Sequence, residues 1–320
     1  KTVIFCDDVN APAQKFSDAF IFGKYDDEKK IYEFLDKVDF VTFEFENIPY
    51  ETLKKINKVK KVFPKPEINK IIQNRVDEKN FLNKSNINTT KYASINNYKD
   101  FKLNMNLIPG IIKTTTLGYD GKGQYKINSF EDINDLNLDF KKEYILEKLV
   151  DLKKEISVIL TRFSYGKYEI YEPIENLHEN QILKHSKIPA IINEKVSKKA
   201  KNWAVQIAEK LDYIGTISIE YFIDQNDELF VNEIAPRVHN SGHLTINSYN
   251  VSQFENHIRA IFKLDQIKIK KIANAEMINI LGKDIKNYRN KKFKNNEYFF
   301  DYFKNKIKPK RKMGHITVLK

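Results

Sequence analysis

At 320 residues the chain is too long for one small core, so two or three domains are expected. Its 41% hydrophobic and 12% aromatic content excludes wholesale disorder, its single cysteine, Cys6, excludes an internal disulfide, and no run reaches the ~18 apolar residues of a membrane span. The +12 charge first suggests nucleic acid, but only six of the 55 basic residues are Arg, and the 49 Lys are interspersed with Asp and Glu, so no nucleic-acid partner is expected.

The chain opens at Lys1 on a strand-like run, Thr2 to Cys6, and so reads as starting after a first β-α unit. No secretion leader is read there, and with one cysteine the expected location is cytoplasmic. Glu28 to Val38 and Tyr50 to Lys58 have helical spacing, with Ile31, Phe34 and Leu35 on one stripe, and Val38 to Phe45 reads as a strand. This alternation predicts an α/β unit with a parallel sheet. Phe45-Glu46-Asn47-Ile48-Pro49 then lies at a strand's C-terminal end, where such sheets place ligands. The plainer reading is an ordinary turn capped by Asn47.

Pro64 and Pro66 mark a boundary, and Ile68 to Asn83 reads as one helix with Arg75 and Lys79 a turn apart on one face. Residues 86 to 150 read as a small α/β piece, with a strand from Ile111 to Thr114, a glycine-rich loop and a strand from Tyr144 to Val150. Glu155 to Arg162 alternates like a half-buried strand. Ser197 to Leu211 is helical, with Ser197 as its cap. Thr216 to Ile223 and Glu228 to Ile234 form a hairpin through Asp224-Gln225-Asn226-Asp227, which sets Glu220 opposite Asn232 and Glu233. A helix is expected over 245–263, short strands from about 265 to 320, and a loop over the Lys/Asn-rich stretch 283–296.

The chemistry concentrates in Asn232-Glu233-Ile234-Ala235-Pro236-Arg237-Val238-His239-Asn240-Ser241-Gly242-His243. A buried strand runs into an acid, an amide, a guanidinium and two imidazoles, which folding alone does not require. Glu220, Asn232 and Glu233 supply the hard oxygen donors that Mg2+ takes, and their apolar neighbours make two merely solvated acids costly. Arg237 is one of the few Arg forks in the chain and suits a small oxyanion together with His239. The loop from Gly118 to Gly123 holds three glycines in six residues and can bring backbone N–H groups to phosphates, with Lys113 on the preceding strand adding charge. It lacks the Walker A spacing, and a plain hairpin turn would have the same glycines. Zinc is not expected, because Cys6 lies far from the histidines in the chain. His178 is left open between structural and ligand-facing roles, and His185 and His257 read as structural.

Lys113, the glycine loop, Glu147, Glu155, Glu220 and Asn232-Glu233, in this order, resemble the ATP-grasp superfamily. Phe43-Glu44-Phe45-Glu46-Asn47, Gly118-Tyr119-Asp120-Gly121-Lys122-Gly123-Gln124, Glu175-Asn176-Leu177-His178, Ala235-Pro236-Arg237-Val238-His239-Asn240-Ser241-Gly242-His243 and Arg311-Lys312-Met313-Gly314-His315 narrow the likeness to the N5-carboxyaminoimidazole ribonucleotide synthase family of de novo purine synthesis. The resemblance covers nearly the whole chain. It implies an ATP-grasp fold mixing α/β and α+β parts: a partial Rossmann-like N-terminal domain (1–76), an ATP-grasp domain (77–264) with a mobile subdomain at about 86–150, and a small C-terminal domain (265–320).

The implied reaction is ATP-dependent carboxylation of 5-aminoimidazole ribonucleotide by bicarbonate through carboxyphosphate, with ATP and Mg2+ as cofactors and a homodimer as the assembly. By motif, Arg75, Lys113, Gly118, Tyr119, Asp120, Gly121, Lys122, Gly123, Gln124, Glu147, Lys148, Leu149, Val150, Glu155, His178, Asn232 and Glu233 would surround ATP. Glu220 and Glu233 would hold the metal, and Arg237, His239 and Asn240 the bicarbonate and carboxyphosphate. Glu46, Tyr119, Asp120, Arg237, Arg311 and Lys312 would face the ribonucleotide, and Asp120 or the departing phosphate would take the amine proton. The chain departs from the family in starting after its Gly-rich strand-to-helix turn and stopping before its closing helix, so an incomplete substrate site is one expectation. Another ATP-grasp ligase, such as formate-dependent glycinamide ribonucleotide transformylase, is the rival enzyme. A basic RNA-binding protein is the non-enzyme rival, and an inactive fragment that still binds ATP is the third.

Overall fold

The structure, a computed structural model, describes residues 1–117, 123–133, 135–136 and 138–320. The N-terminal unit alternates short strands and helices: β1 (Val3–Cys6), β2 (Ala19–Phe22), α1 (Glu28–Leu35), β3 (Val41–Thr42), α2 (Tyr50–Val59), β4 (Val62–Phe63) and α3 (Pro66–Ile72). β1 pairs with β2 and β3 with β4, both in parallel. Ile31, Phe34 and Leu35 bury against Leu53 and Ile56 of α2, as their spacing predicts. The strand expected from Val38 to Phe45 contracts to Val41–Thr42, leaving Phe43 to Pro49 as the connection that carries Glu46.

The helix expected from Ile68 to Asn83 is two helices. Asn74 interrupts it and caps α4 (Arg75–Lys84), accepting from the backbone N–H of Val76 at 2.9 Å and of Asp77 at 3.3 Å. The break makes Arg75 the first residue of a new helix. Next come β5 (Tyr92–Ile95), α5 (Tyr98–Leu103), β6 (Gly110–Thr114), β7 (Gln124–Ile127) and β8 (Tyr144–Lys148). Their antiparallel sheet runs β5-β8-β6-β7 over its own core of Ile95, Phe101, Ile112 and Leu146.

The large sheet is built from β9 (Leu152–Arg162), β10 (Tyr168–Ile170), β11 (Ile174–Glu179) and β12 (Ile182–Ile188), then, after α6 (Glu194–Lys210), from β13 (Gly215–Asp224) and β14 (Leu229–Ala235). α6 begins a turn earlier than expected. Asn193, not Ser197, accepts from the Lys195 N–H at 2.9 Å, and the extra turn buries Val196 beside Ala200 and Ala204. Burying a valine side chain such as Val196 contributes about 1.5–3 kcal/mol.

The helix expected over 245–263 is also two, α7 (Thr245–Ser248) and α8 (Gln253–Ile261), separated by extended Tyr249 and recapped by Ser252. The tail holds β15 (Ala275–Leu281), α9 (Ile285–Arg289), β16 (Glu297–Asp301) and β17 (Lys312–Leu319). α9 falls inside the stretch expected to be a loop, anchored by fully buried Ile285. β15 pairs with β12, so the C-terminal strands extend the large sheet in the order β14-β13-β9-β11-β12-β15-β17-β16.

Candidate active site

The carboxylates come together through a hairpin with one irregularity. β13 and β14 pair antiparallel, with Glu220 opposite Glu233 and Tyr221 opposite Val231. Asn232 is the extra residue of the β-bulge between them. Simple alternation would turn Asn232 and Glu233 to opposite faces; with the bulge, both line the same cavity as Glu220.

That cavity measures about 540 Å³, a size suited to a nucleotide-sized ligand. Its walls come from all three parts of the chain: Glu46, Arg75, Lys113, Gln124, the segment Glu147 to Val150, Glu155, His178, Asn232, Arg237, His239, Asn240 and Lys312. Gly123 is not among the cavity-lining residues; it has φ +70°, and its carbonyl accepts from the Thr114 N–H at 3.1 Å. Gly118, Tyr119, Asp120, Gly121 and Lys122 lie outside the described residues. Arg311 is not among the cavity-lining residues. Its Nη1 donates to the Lys306 carbonyl at 3.1 Å, unlike the ribonucleotide-facing position expected for it.

The charged groups are paired and pre-set. Lys113 Nζ lies 3.0 Å from Glu147 Oε2, and fully buried Lys79 reaches the same oxygen at 3.5 Å from behind. Burial alone would raise the Glu147 carboxyl, but the two lysines outweigh it and hold it at about 2. Glu147 therefore serves as a counterion to Lys113, and it lines the cavity together with Lys148, Leu149 and Val150. Glu155 Oε2 and His178 Nδ1 form an ion pair at 2.5 Å. Burial works against the His178 cation, yet Glu155 raises its affinity for the proton overall. Arg75 donates from Nη1 to the Thr114 carbonyl at 3.1 Å, tying the start of α4 to the end of β6.

Glu220 and Glu233 are driven apart. Burial would raise Glu220, but His239 Nε2 at 3.0 Å, with His178 and Lys312 further off, holds it at about 2. Glu233 is exposed to the cavity. Loss of bulk solvent, then Glu220, then Glu46 raise its carboxyl. Glu220 makes the charge on Glu233 costlier, and oxygen donors opposed in this way are a set that a divalent cation would relieve, so the residues fit magnesium. Arg237 Nη2 contacts Glu46 Oε1 at 2.6 Å and Nη1 donates to the Val238 carbonyl at 2.9 Å. Ser241 Oγ lies 2.9 Å from His239 Nδ1, so the imidazole is held at both ends.

Three supports escaped the sequence reading. Gln73 Nε2 donates to the Glu46 and Ile48 carbonyls, both at 2.7 Å, and shapes the Glu46 turn. Gln253 clamps the Arg237–His243 loop, accepting from the His239 N–H at 3.0 Å and donating to the His239 carbonyl at 2.7 Å. Glu78 lines the cavity and accepts from the Ile234 N–H at 2.6 Å; burial raises its carboxyl to about 8, with Glu233 adding in the same sense. Amides and acids on helices look like surface residues, and nothing local marks them. Gly242 was a signal for Gln253: a Cβ there would stand 2.4 Å from Gln253 Oε1.

Family models match along the chain: the ribonucleotide synthetase preATP-grasp domain over residues 1–73, the ATP-grasp domain over 80–254 and the phosphoribosylaminoimidazole carboxylase C-terminal domain over 275–320. Together with the opposed carboxylates and the strand lysine, they define an ATP-grasp carbon–nitrogen ligase. The N5-carboxyaminoimidazole ribonucleotide synthase of Brucella melitensis is 34% identical, with 100% of this chain and 90% of the relative covered. That of Bacillus subtilis is 33% identical, with 97% and 83% covered. The structure of the Staphylococcus aureus N5-carboxyaminoimidazole synthetase complexed with ADP superposes with a TM-score of 0.91 at 34% identity, covering 99% of this chain and 86% of that one. The Aspergillus clavatus synthase in complex with ADP and 5-aminoimidazole ribonucleotide gives 0.90 at 27%, again covering 99% and 86%. The chain belongs to the N5-carboxyaminoimidazole ribonucleotide synthase family. Its activity is the ATP-dependent carboxylation of 5-aminoimidazole ribonucleotide with bicarbonate in purine biosynthesis.

Proposed function

We propose that the cavity makes carboxyphosphate from ATP and bicarbonate and keeps it from water until the ribonucleotide amine takes the carboxyl group. The observation that carries this reading is the meeting, in one cavity, of Arg237 and His239 with opposed Glu220 and Glu233 and with Lys113. A bicarbonate oxygen attacks the γ-phosphorus of ATP, and the bond to the bridging oxygen breaks with its electron pair left on ADP. Carboxyphosphate then loses phosphate, and the exocyclic amine attacks the released CO2, its proton passing to Asp120 or to the departing phosphate.

The residues divide this work. Lys113, held by Glu147, places a charge for the phosphates without a flexible search. Glu155 and His178 line the cavity too and would fix the nucleotide. Arg237 offers a planar fork to bicarbonate and exchanges its Glu46 contact for it, while His239 stays anchored between Glu220 and Ser241. Lys312, with Glu46 and the loop bearing Tyr119 and Asp120, would receive the ribonucleotide; Arg311 would need to leave the Lys306 carbonyl to join them. Glu220, Glu233 and Asn232 would hold Mg2+, which when bound neutralises phosphate charge.

The division at 1–76, 77–264 and 265–320, with a moving piece at about 86–150, belongs to the same reading and is supported by the separate core under β5–β8. So do a cytoplasmic location and a homodimer. No helix among the described residues is long and apolar enough to cross a membrane, which is consistent with the first; sedimentation would test the second.

The test is ADP release from ATP, bicarbonate and 5-aminoimidazole ribonucleotide, each omitted in turn. Full turnover should require all three. Turnover that needs formate in place of bicarbonate would instead indicate the transformylase-type ligase.

A further inference from the structure

Behind Asn240 lies a chain of hydrogen bonds whose direction is set by a backbone carbonyl. Asn279 is fully buried on β15, and its Nδ2 donates to the Leu183 carbonyl at 3.0 Å. A carbonyl only accepts, so the Asn279 amide cannot be turned round. The same Nδ2 donates to Asn240 Oδ1 at 2.5 Å. That leaves the Asn240 nitrogen as the donor on the other side, where it faces the Tyr302 hydroxyl at 3.4 Å.

The Tyr302 hydroxyl has one hydrogen and a second partner, His315 Nδ1 at 2.8 Å. With Asn240 donating to it, the hydroxyl hydrogen is free for His315 Nδ1, the one arrangement in which that hydrogen also finds an acceptor. The proton of the neutral imidazole then sits on Nε2, which is buried and has no hydrogen-bond partner. An orphaned buried polar atom costs about 1–3 kcal/mol, and a fold that retains one here retains His315 for its other nitrogen. The ring is held flat against Phe300, with centroids 4.8 Å apart. His315 and Asn279 are direct register partners on β17 and β15.

We infer that Tyr302, backed by His315, is a positioning residue that fixes the Asn240 amide with its NH2 toward the cavity, so that a donor and not a carbonyl meets the carboxyphosphate oxygens. This deepens the proposed function and rests on it. One Asn240 N–H is spent on Tyr302, and the other remains for the anion. A flipped amide would present oxygen to an oxyanion, and the intermediate would be lost to water as bicarbonate and phosphate. Tyr302 lies outside every motif in the chain, just past β16, so the C-terminal strands have a task in the reaction beyond closing the sheet.

The test measures product formed per ADP released, at saturating ATP and ribonucleotide, together with the KM for bicarbonate. Wild type should give a ratio near one; a wild type that makes no carboxylated product would overturn the proposed function itself. Given a competent wild type, Tyr302→Phe should lower the ratio several-fold and raise the bicarbonate KM about 3- to 10-fold, the span of one net hydrogen bond, while the KM for ATP and the Tm stay near wild type. His315→Asn, which offers an acceptor oxygen near the place of Nδ1, should keep the ratio, and His315→Leu should lose it. In an Asn240→Ala background, Tyr302→Phe should change nothing further. A wild-type ratio and bicarbonate KM in both Tyr302→Phe and His315→Leu, or an equal additional loss without Asn240, would overturn the inference.

Discussion

Glu233 carries a charge that its surroundings disfavour until a cation arrives. Lost solvation and Glu220 both raise its carboxyl, so neutralising it should relieve the metal-free protein while disabling the loaded one. Glu233→Gln is expected to unfold at the wild-type temperature or slightly above it. Its turnover should fall on the order of a hundredfold, and the thermal shift produced by Mg2+ with ADP should vanish. Unchanged turnover in that variant would remove Glu233 from the metal assignment.

His257, read from sequence as structural, joins two parts of the molecule. Its Nδ1 accepts from the Thr216 N–H at 3.0 Å, and its Nε2 meets Thr42 Oγ1 at 2.8 Å. Burial lowers it from 6.5 to about 4, so the folded state keeps the ring neutral. Below the ordinary value the unfolded chain takes up a proton that the folded chain refuses. The contribution is therefore complete above pH 6.5 and shrinks as the pH falls toward 4, by at most roughly 1.4 kcal/mol per pH unit. His315, also held at about 4, acts in the same sense. Urea unfolding at pH 7.5 and pH 5 should show this loss in wild type and a smaller one in His257→Leu; equal slopes would contradict the assignment.

Among the secondary-structure elements, the β13–β14 hairpin was the most readable from sequence. The turn length between Thr216 and Ile234 was enough to oppose Glu220 and Glu233, because a two-residue period leaves little choice once one face is apolar. The bulge at Asn232 was not readable, since an extra residue on one strand leaves no local mark. Nor was the break at Asn74. The run from Ile68 to Asn83 keeps helical spacing throughout, and the fresh start is favoured by tertiary bonds, from the Arg75 N–H to the Thr115 carbonyl at 2.9 Å and from its Nη1 to the Thr114 carbonyl at 3.1 Å. Asn74→Ala removes the cap, which should cost about 1 kcal/mol and raise the KM for ATP by loosening Arg75; Asn74→Asp should restore both. A KM unaffected by the alanine would show that α4 does not set Arg75.

The molecule as a whole uses a single sheet to join its centre to its tail. β12–β15 pairing carries Asn279, His315 and the neighbouring Tyr302 to the back of Asn240, and the Glu46–Arg237 contact ties the N-terminal unit to the front of the same site. The motif-bearing residues Lys113, Arg237 and His239 could be placed from sequence because their chemistry is conspicuous beside apolar strands. Arg311 could not, since a charge in a motif does not say which way its side chain turns. Gln73, Gln253 and Tyr302 act on the site only through other residues, and a linear pattern does not hold that information.

Every step of the proposed reaction requires one cavity to set a metal-bound triphosphate against an oxyanion cradle. A crystal structure with a non-hydrolysable ATP analogue, and Mn2+ in place of Mg2+, would show whether it does. Anomalous density for the metal is expected between Glu220 and Glu233, with the terminal phosphate facing Arg237 and His239. Metal density elsewhere, or a terminal phosphate pointing away from that pair, would contradict the assignment of the site.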